Sequence, residues 1–176
     1  DAINFSYFLH VGRFNDQKRH DRLFSIFKRA KVDSKLVLLG DGTEEQTKRV
    51  HDLINNYGLD NKVELLGFRE NPYPFIKNAK ALLLTSDYEG LPTVIIESLI
   101  CGTPVLSVNC PSGPEEIMGS QFPEYLFSAS DEDGFASMIC ELDKSSRRIE
   151  FKNANRFDEE LIARKYLDFC TVDVGD

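Results

Sequence analysis

Short apolar runs that stop at a glycine or a small polar residue recur along this chain, with segments of helical spacing between them. Phe5 to Val11 breaks at Gly12-Arg13, Leu36 to Leu39 at Gly40-Asp41-Gly42, Val63 to Leu66 at Gly67-Phe68, and Ala81 to Leu84 at Thr85-Ser86. Between these runs, Leu23, Ile26, Phe27 and Ala30, and then Val50, Leu53, Ile54 and Tyr57, repeat at the spacing of one helix face, with Gly58 placed as a C-cap. Pro72 to Asn78 reads as a short helix, Glu115 to Met118 as a helical turn, and Phe135, Met138, Ile139 and Leu142 as a further helix. Pro104 to Val108 and Tyr125 to Phe127 supply two more strands. This alternation predicts an α/β fold, a Rossmann-like doubly wound parallel sheet of about six strands. Ligands of such sheets bind in the crevice at the carboxyl ends of the strands, so the four punctuation points are expected to meet.

The densest of them is Ser86 to Val105. Gly90 lets the chain turn after the fourth strand, and Pro92 is expected at the first position of a helix. Unpaired N–H groups then crowd near residues 90 to 94, and a helix start with its positive dipole end favours a phosphate. Glu89 precedes that start and Glu97 lies inside the helix, about 7.5 Å along the axis from Pro92. Val94, Ile95, Ile96, Leu99 and Ile100 leave Glu97 little polar face. It therefore needs ligand hydroxyls, a lysine or arginine partner, or a narrow solvent stripe.

Gly12-Arg13, with Lys18 five residues on, offers close backbone approach and two cations suited to a diphosphate, or else a solvated loop in which Asp16 and Asp21 offset the charge. Gly40-Asp41-Gly42 is either a further feature of the crevice or only a tight turn. Gly67-Phe68-Arg69 offers backbone groups for a planar base, with the phenylalanine ring itself expected in the core. Asp131-Glu132-Asp133 reads as the cap of the following helix rather than a metal site. No glycine-rich dinucleotide fingerprint and no P-loop is present.

With 176 residues, 41% of them apolar, and no compositional break, one domain is expected. A net charge of −8 excludes a general nucleic-acid surface, so any anion site is local. Cys101, Cys110, Cys140 and Cys170 have no paired spacing, and reduced thiols in a cytoplasmic setting are expected.

Taken together, Glu89-Gly90-Leu91-Pro92-Thr93-Val94-Ile95-Ile96-Glu97 followed by Gly102-Thr103-Pro104-Val105, and His10-Val11-Gly12-Arg13 before them, resemble the C-terminal half of the family 4 retaining glycosyltransferases of GT-B fold. The phrasing is closest to enzymes of bacterial lipopolysaccharide and capsule synthesis, and the resemblance runs over nearly the whole chain. It implies a nucleotide-diphosphate sugar as donor, a UDP-sugar favoured, and no metal or other cofactor. Arg13 and Lys18, beside Gly12, would bind the diphosphate, and Glu89 would contact the transferred sugar near the reacting carbon. Backbone N–H groups of Gly90, Leu91 and Thr93 would hold phosphate or sugar oxygens. Glu97 would bond the ribose hydroxyls, and the main chain around Phe68 and Arg69 would receive the base. Thr93 stands where many members have glycine.

The resemblance further implies that residues 1–176 are the donor domain alone, with a last helix at about 157–170. The glycan or lipid-linked acceptor would sit on an N-terminal domain outside the chain, in a protein peripheral to the inner face of the membrane. Alternatives are a nucleotide-sugar epimerase domain and a non-catalytic nucleotide-sugar-binding module.

Overall fold

A computed structural model of the chain describes residues 3–145, 147–152 and 157. The expected terminal helix at about 157–170, with Cys170, lies outside the described residues apart from Phe157. Six strands, β1 (Tyr7–Val11), β2 (Lys35–Leu39), β3 (Val63–Gly67), β4 (Leu82–Leu84), β5 (Val105–Val108) and β6 (Leu126–Phe127), form one sheet in the order β3-β2-β1-β4-β5-β6. Every adjacent pair is parallel. β4 and β5 are buried along their whole length, which is why β4 is a continuous apolar run and β5 is broken only by the buried Ser107 rather than alternating.

Helices cover both faces. α1 (His20–Ala30) packs against α2 (Glu44–Tyr57) and α6 (Glu132–Asp143), and α3 (Tyr73–Asn78) packs against α4 (Thr93–Ile100), with α5 (Pro114–Met118) beside α4. Each boundary has a local cause. Thr43 and Gln46 exchange the two hydrogen bonds of a capping box at the start of α2, and Gly58 closes it at φ 65°. Asp131 accepts from the N–H of Gly134 at 2.9 Å while Glu132 and Asp133 both reach Arg29, so the acidic triplet is a cap and an ion pair.

The order reverses between β1 and β4. After β1 the chain crosses outward to β2 and β3, then returns to the other side of β1 as β4. The two strands therefore diverge into opposite layers at their carboxyl ends, which opens a crevice there. Three strand ends on one side stay linked beyond the sheet proper: Gly12 N–H donates to Leu39 at 2.9 Å, and Gly40 N–H to Gly67 at 3.1 Å. β3 carries an extra residue at this end, pairing Leu65 with Leu38 but Gly67 with Leu39. That bulge and the positive φ of Gly67 (72°) turn the following residues out of the sheet.

Candidate functional site

β1 and β4 are neighbours, so the loops that leave them are built against each other. Residues Asp16–Lys18 form a single 3₁₀ turn before α1, and the segment after β4 is sewn to it. Thr85 Oγ1 donates to the Lys18 carbonyl at 3.0 Å, Asp87 N–H to the Gln17 carbonyl at 3.0 Å, and Gln17 Nε2 to the Tyr88 carbonyl at 2.7 Å. Arg19 and Arg22 both grip Asp87, at 3.0 and 2.9 Å. Although desolvation pushes the other way, these two guanidinium groups hold the Asp87 carboxyl below the usual carboxylate range.

The product of this stitching is an ion pair. Lys18 Nζ lies 2.7 Å from Glu89 Oε1, with both side chains largely buried, and Ser86 Oγ donates to the same oxygen at 2.5 Å. Two residues 71 positions apart are thus fixed within one hydrogen bond by the adjacency of their strands. A cavity of about 370 Å³ opens over the pair, bounded by Gly12, Arg13, Leu91, Pro92 and Thr93.

α4 starts at the edge of that cavity. Pro92 is its N-cap, not its first residue as the sequence reading has it: the Pro92 carbonyl accepts from Ile95 N–H at 2.9 Å, while its ψ of 83° is outside the helical range. The reason is the turn at residues 90–92, which has to pass Gly113. A side chain there would put its Cβ 2.4 Å from Pro92 Cδ and 2.9 Å from the Gly90 carbonyl oxygen. Thr93 N–H is turned onto the Leu91 carbonyl at 2.9 Å, so it is not the free donor that the resemblance implies, because the tight turn at 90–92 points it back on itself. Among the described residues, the N–H groups of Gly90, Leu91 and Val94 make no hydrogen bond, so three donors remain for a ligand.

A second cavity of about 580 Å³ adjoins the first through Val11, Gly12 and Arg13 and runs over the ends of β2 and β3. Glu97 faces it from α4, opposite Phe68 and Arg69. No salt bridge or hydrogen bond engages the Glu97 carboxylate among the described residues, which removes the lysine or arginine partner weighed from the sequence. Phe68 departs from the sequence reading as well. Its ring is 65% exposed on the cavity wall instead of packed in the core, because the turn at Gly67 has already carried the chain off the sheet.

The structure therefore brings together nearly every residue singled out in the sequence. Gly12 and Arg13 border both cavities, Lys18, Glu89, Leu91 and Thr93 the smaller, and Phe68, Arg69 and Glu97 the larger. Gly90 sits exposed in the turn between Glu89 and Leu91 without lining either. Sequence reasoning named Asp41 only as part of a turn at a strand end, and it missed Glu70 and Tyr73 in the larger cavity and Asn15 and Gln17 in the smaller. For Asp41 the available signal was Gly40, which stands at its strand end as Gly12 does at its own.

Beneath Gly12 lies an arrangement that the sequence does not announce. His10 is fully buried on β1, its Nδ1–H donating to the Leu83 carbonyl at 3.0 Å, and its ring meets that of buried His20 edge-on at 5.2 Å. Desolvation, then the mutual influence of the two rings, pushes His10 down to about 3, and desolvation pushes His20 down to about 4 against the pull of Asp21. Both are neutral in the native chain, whereas the unfolded chain protonates them near pH 6.5. The folded values are depressed, so the unfolded state binds more protons and stability is lost as pH falls below about 6.5, by up to about 1.4 kcal/mol per pH unit for each histidine. Urea unfolding at pH 7.5, 6 and 5 should show this decline, and His10→Leu should remove its share of the slope. A wild-type stability that stays flat over this range would refute it.

The profile of the glycosyl transferases group 1 family matches residues 4–160. The chain belongs to that family. Among curated relatives of this group 1 domain is the N-acetylgalactosamine-N,N'-diacetylbacillosaminyl-diphospho-undecaprenol 4-alpha-N-acetylgalactosaminyltransferase of Campylobacter jejuni. It is 33% identical over 174 residues, 96% of this chain and 47% of that protein. The lipopolysaccharide 1,6-galactosyltransferase of Escherichia coli is 30% identical over 167 residues, 92% of this chain and 46% of that protein. The chain thus spans about half the length of these relatives. The solved structure of Anabaena HepE in complex with UDP superposes with a TM-score of 0.81 at 23% identity, covering 96% of this chain and 49% of that one. S. aureus TarM gives 0.82 at 22%, covering 93% and 35%. The fold of the group 1 domain is the Rossmann-like half of the GT-B architecture.

Proposed function

We propose that this domain binds a nucleotide-diphosphate sugar, a UDP-sugar in preference, and presents it for retaining transfer to a glycan or lipid-linked acceptor. The observation that carries the reading is the convergence at the β1/β4 switch point of Lys18, Glu89 and the unpaired N–H groups ahead of α4, continuous with a cavity that ends at Glu97. The diphosphate occupies the junction of the two cavities, held by Arg13, Lys18 and the unpaired N–H groups of Gly90, Leu91 and Val94. The sugar lies over Glu89 in the smaller cavity. The ribose lies against Glu97 and the base against the main chain of Phe68 and Arg69 in the larger one.

The chemistry follows from where charge develops. As the bond between the anomeric carbon and the phosphate breaks, negative charge builds on the departing diphosphate, and fixed cations and a helix start stabilise it where it forms. No metal is required for this. The departing phosphate then takes the proton of the acceptor hydroxyl, which attacks from the same face. UDP in the HepE complex and the acceptors named for the two curated relatives support the reading. The acceptor would be held by a second domain of the full-length protein, at the inner face of the membrane. Among the described residues, no helix is long and apolar enough to cross one.

Calorimetry of the chain against UDP, GDP and ADP tests the donor assignment. UDP should bind most tightly, and Arg13→Ala should weaken it by about tenfold through loss of a charge-assisted contact. Absence of binding by all three nucleotides at millimolar concentration would overturn the reading.

A further inference from the structure

Glu89 has two carboxylate oxygens, and the fold spends both of its internal donors on one of them. Lys18 Nζ at 2.7 Å and Ser86 Oγ at 2.5 Å converge on Oε1, while Oε2 accepts no hydrogen bond among the described residues. A carboxylate only accepts, so the Ser86 hydroxyl is the donor. Ser86 is 1% exposed and lies between Thr85 and Asp87, each of which is bonded to the 3₁₀ turn that carries Lys18. Its hydroxyl therefore has a fixed origin and a fixed target.

From this geometry we infer that Ser86 is a positioning residue for Glu89: it anchors Oε1 and thereby turns Oε2 toward the transferred sugar. The inference rests on the donor-binding reading above and deepens it by naming what aims the carboxylate. Lys18 does not substitute for Ser86 in this role. Once a diphosphate arrives, the lysine charge is shared with phosphate oxygens, and Ser86 is left as the donor that has no other task. A carboxylate without it rotates about its last torsion, which has broad wells, and loses the orientation that separates productive from unproductive contact.

The test uses the full-length protein and measures UDP release from UDP-galactose and UDP-N-acetylgalactosamine, alongside calorimetry with UDP and circular dichroism of each variant. Ser86→Ala should lower turnover at saturating donor by about ten- to a hundredfold, with UDP affinity within about twofold of wild type, because the lost bond orients the sugar-facing group alone. Ser86→Cys fills the same space with a poor donor and should fall as far, whereas Ser86→Thr keeps the hydroxyl and should recover most of the rate. Turnover by Ser86→Cys at the wild-type level would overturn the inference in favour of simple packing. So would a loss of UDP affinity in Ser86→Ala that matches its loss of rate. Wild-type protein that binds no UDP and releases none from either donor would overturn the donor-binding reading and this inference with it. Wild-type binding and release with no response to Ser86→Ala would overturn the inference alone.

Discussion

Glu89→Gln in the full-length protein should reduce glycosyl transfer by about a thousandfold while leaving UDP bound at least as tightly as in the wild type. The asymmetry follows from the ion pair. Glu89 pairs with Lys18 at 2.7 Å, so on the proposed reading the carboxylate competes with the donor diphosphate for the same ammonium group. An uncharged amide of the same shape still accepts from Ser86 through its carbonyl, so the loop keeps its anchor. On the proposed reading it would hold Lys18 less firmly against the phosphate's pull, and it would no longer place a negative charge beside the sugar carbon that becomes electron-poor as the bond breaks. A charge that acts where the transition state needs it is worth several kcal/mol in a largely buried site, hence the size of the effect on kcat. Initial rates with saturating donor, set beside calorimetry with UDP, separate the two effects. Activity within tenfold of wild type, or a UDP affinity that falls together with the rate, would remove Glu89 from the role assigned to it.

Gly40→Ala should destabilise the domain by about 3–5 kcal/mol and abolish measurable nucleotide binding. Two independent penalties coincide at this position. Its φ of 147° is a conformation that residues with a side chain rarely adopt. An added Cβ would also stand 1.9 Å from the Gly12 carbonyl oxygen and 2.8 Å from the Gly12 carbonyl carbon, which are backbone atoms immediately after β1 with no freedom to rotate away. Relief requires parting the ends of β1 and β2, and Gly12 borders both cavities. Gly67→Ala is the control. Gly67 has a positive φ of 72° but nothing within 4 Å of its added Cβ, so only the conformational penalty of about 1 kcal/mol applies. Urea unfolding of the two variants should therefore give clearly different midpoints, and equal ones would show that the close approach of the two strand ends carries no energetic weight.

Much of this is legible in the sequence alone. β2 differs from its predicted range, and β3 likewise, by a single residue at one end, and the crevice residues Gly12, Arg13, Lys18, Glu89 and Glu97 were all named. Buried parallel strands advertise themselves as apolar runs, and strand ends at a ligand crevice advertise themselves by glycine. Phe68 was misplaced because composition assigns a phenylalanine to the core, whereas a bulge and a positive φ just before it decide which way its ring faces. Pro92 moved by one position because its proline ring suits either the cap or the first turn, and only the contact of the 90–92 turn with Gly113 separates the two. His10 enters the sequence reading only as the first residue of the His10-Val11-Gly12-Arg13 stretch, with no role of its own. Nothing local in the sequence says that its partner across the layer is another histidine, His20.

The sequence by itself determined the class of fold, the direction in which its strands point, and which residues stand at their ends, because those properties arise from local periodicity and from the backbone needs of turns. The tertiary structure alone decided that Lys18 meets Glu89, that Ser86 shares one oxygen with it, and that Glu97 opens onto a cavity without a partner among the described residues. Those facts depend on β1 lying beside β4, a pairing between segments some seventy residues apart that no local pattern encodes.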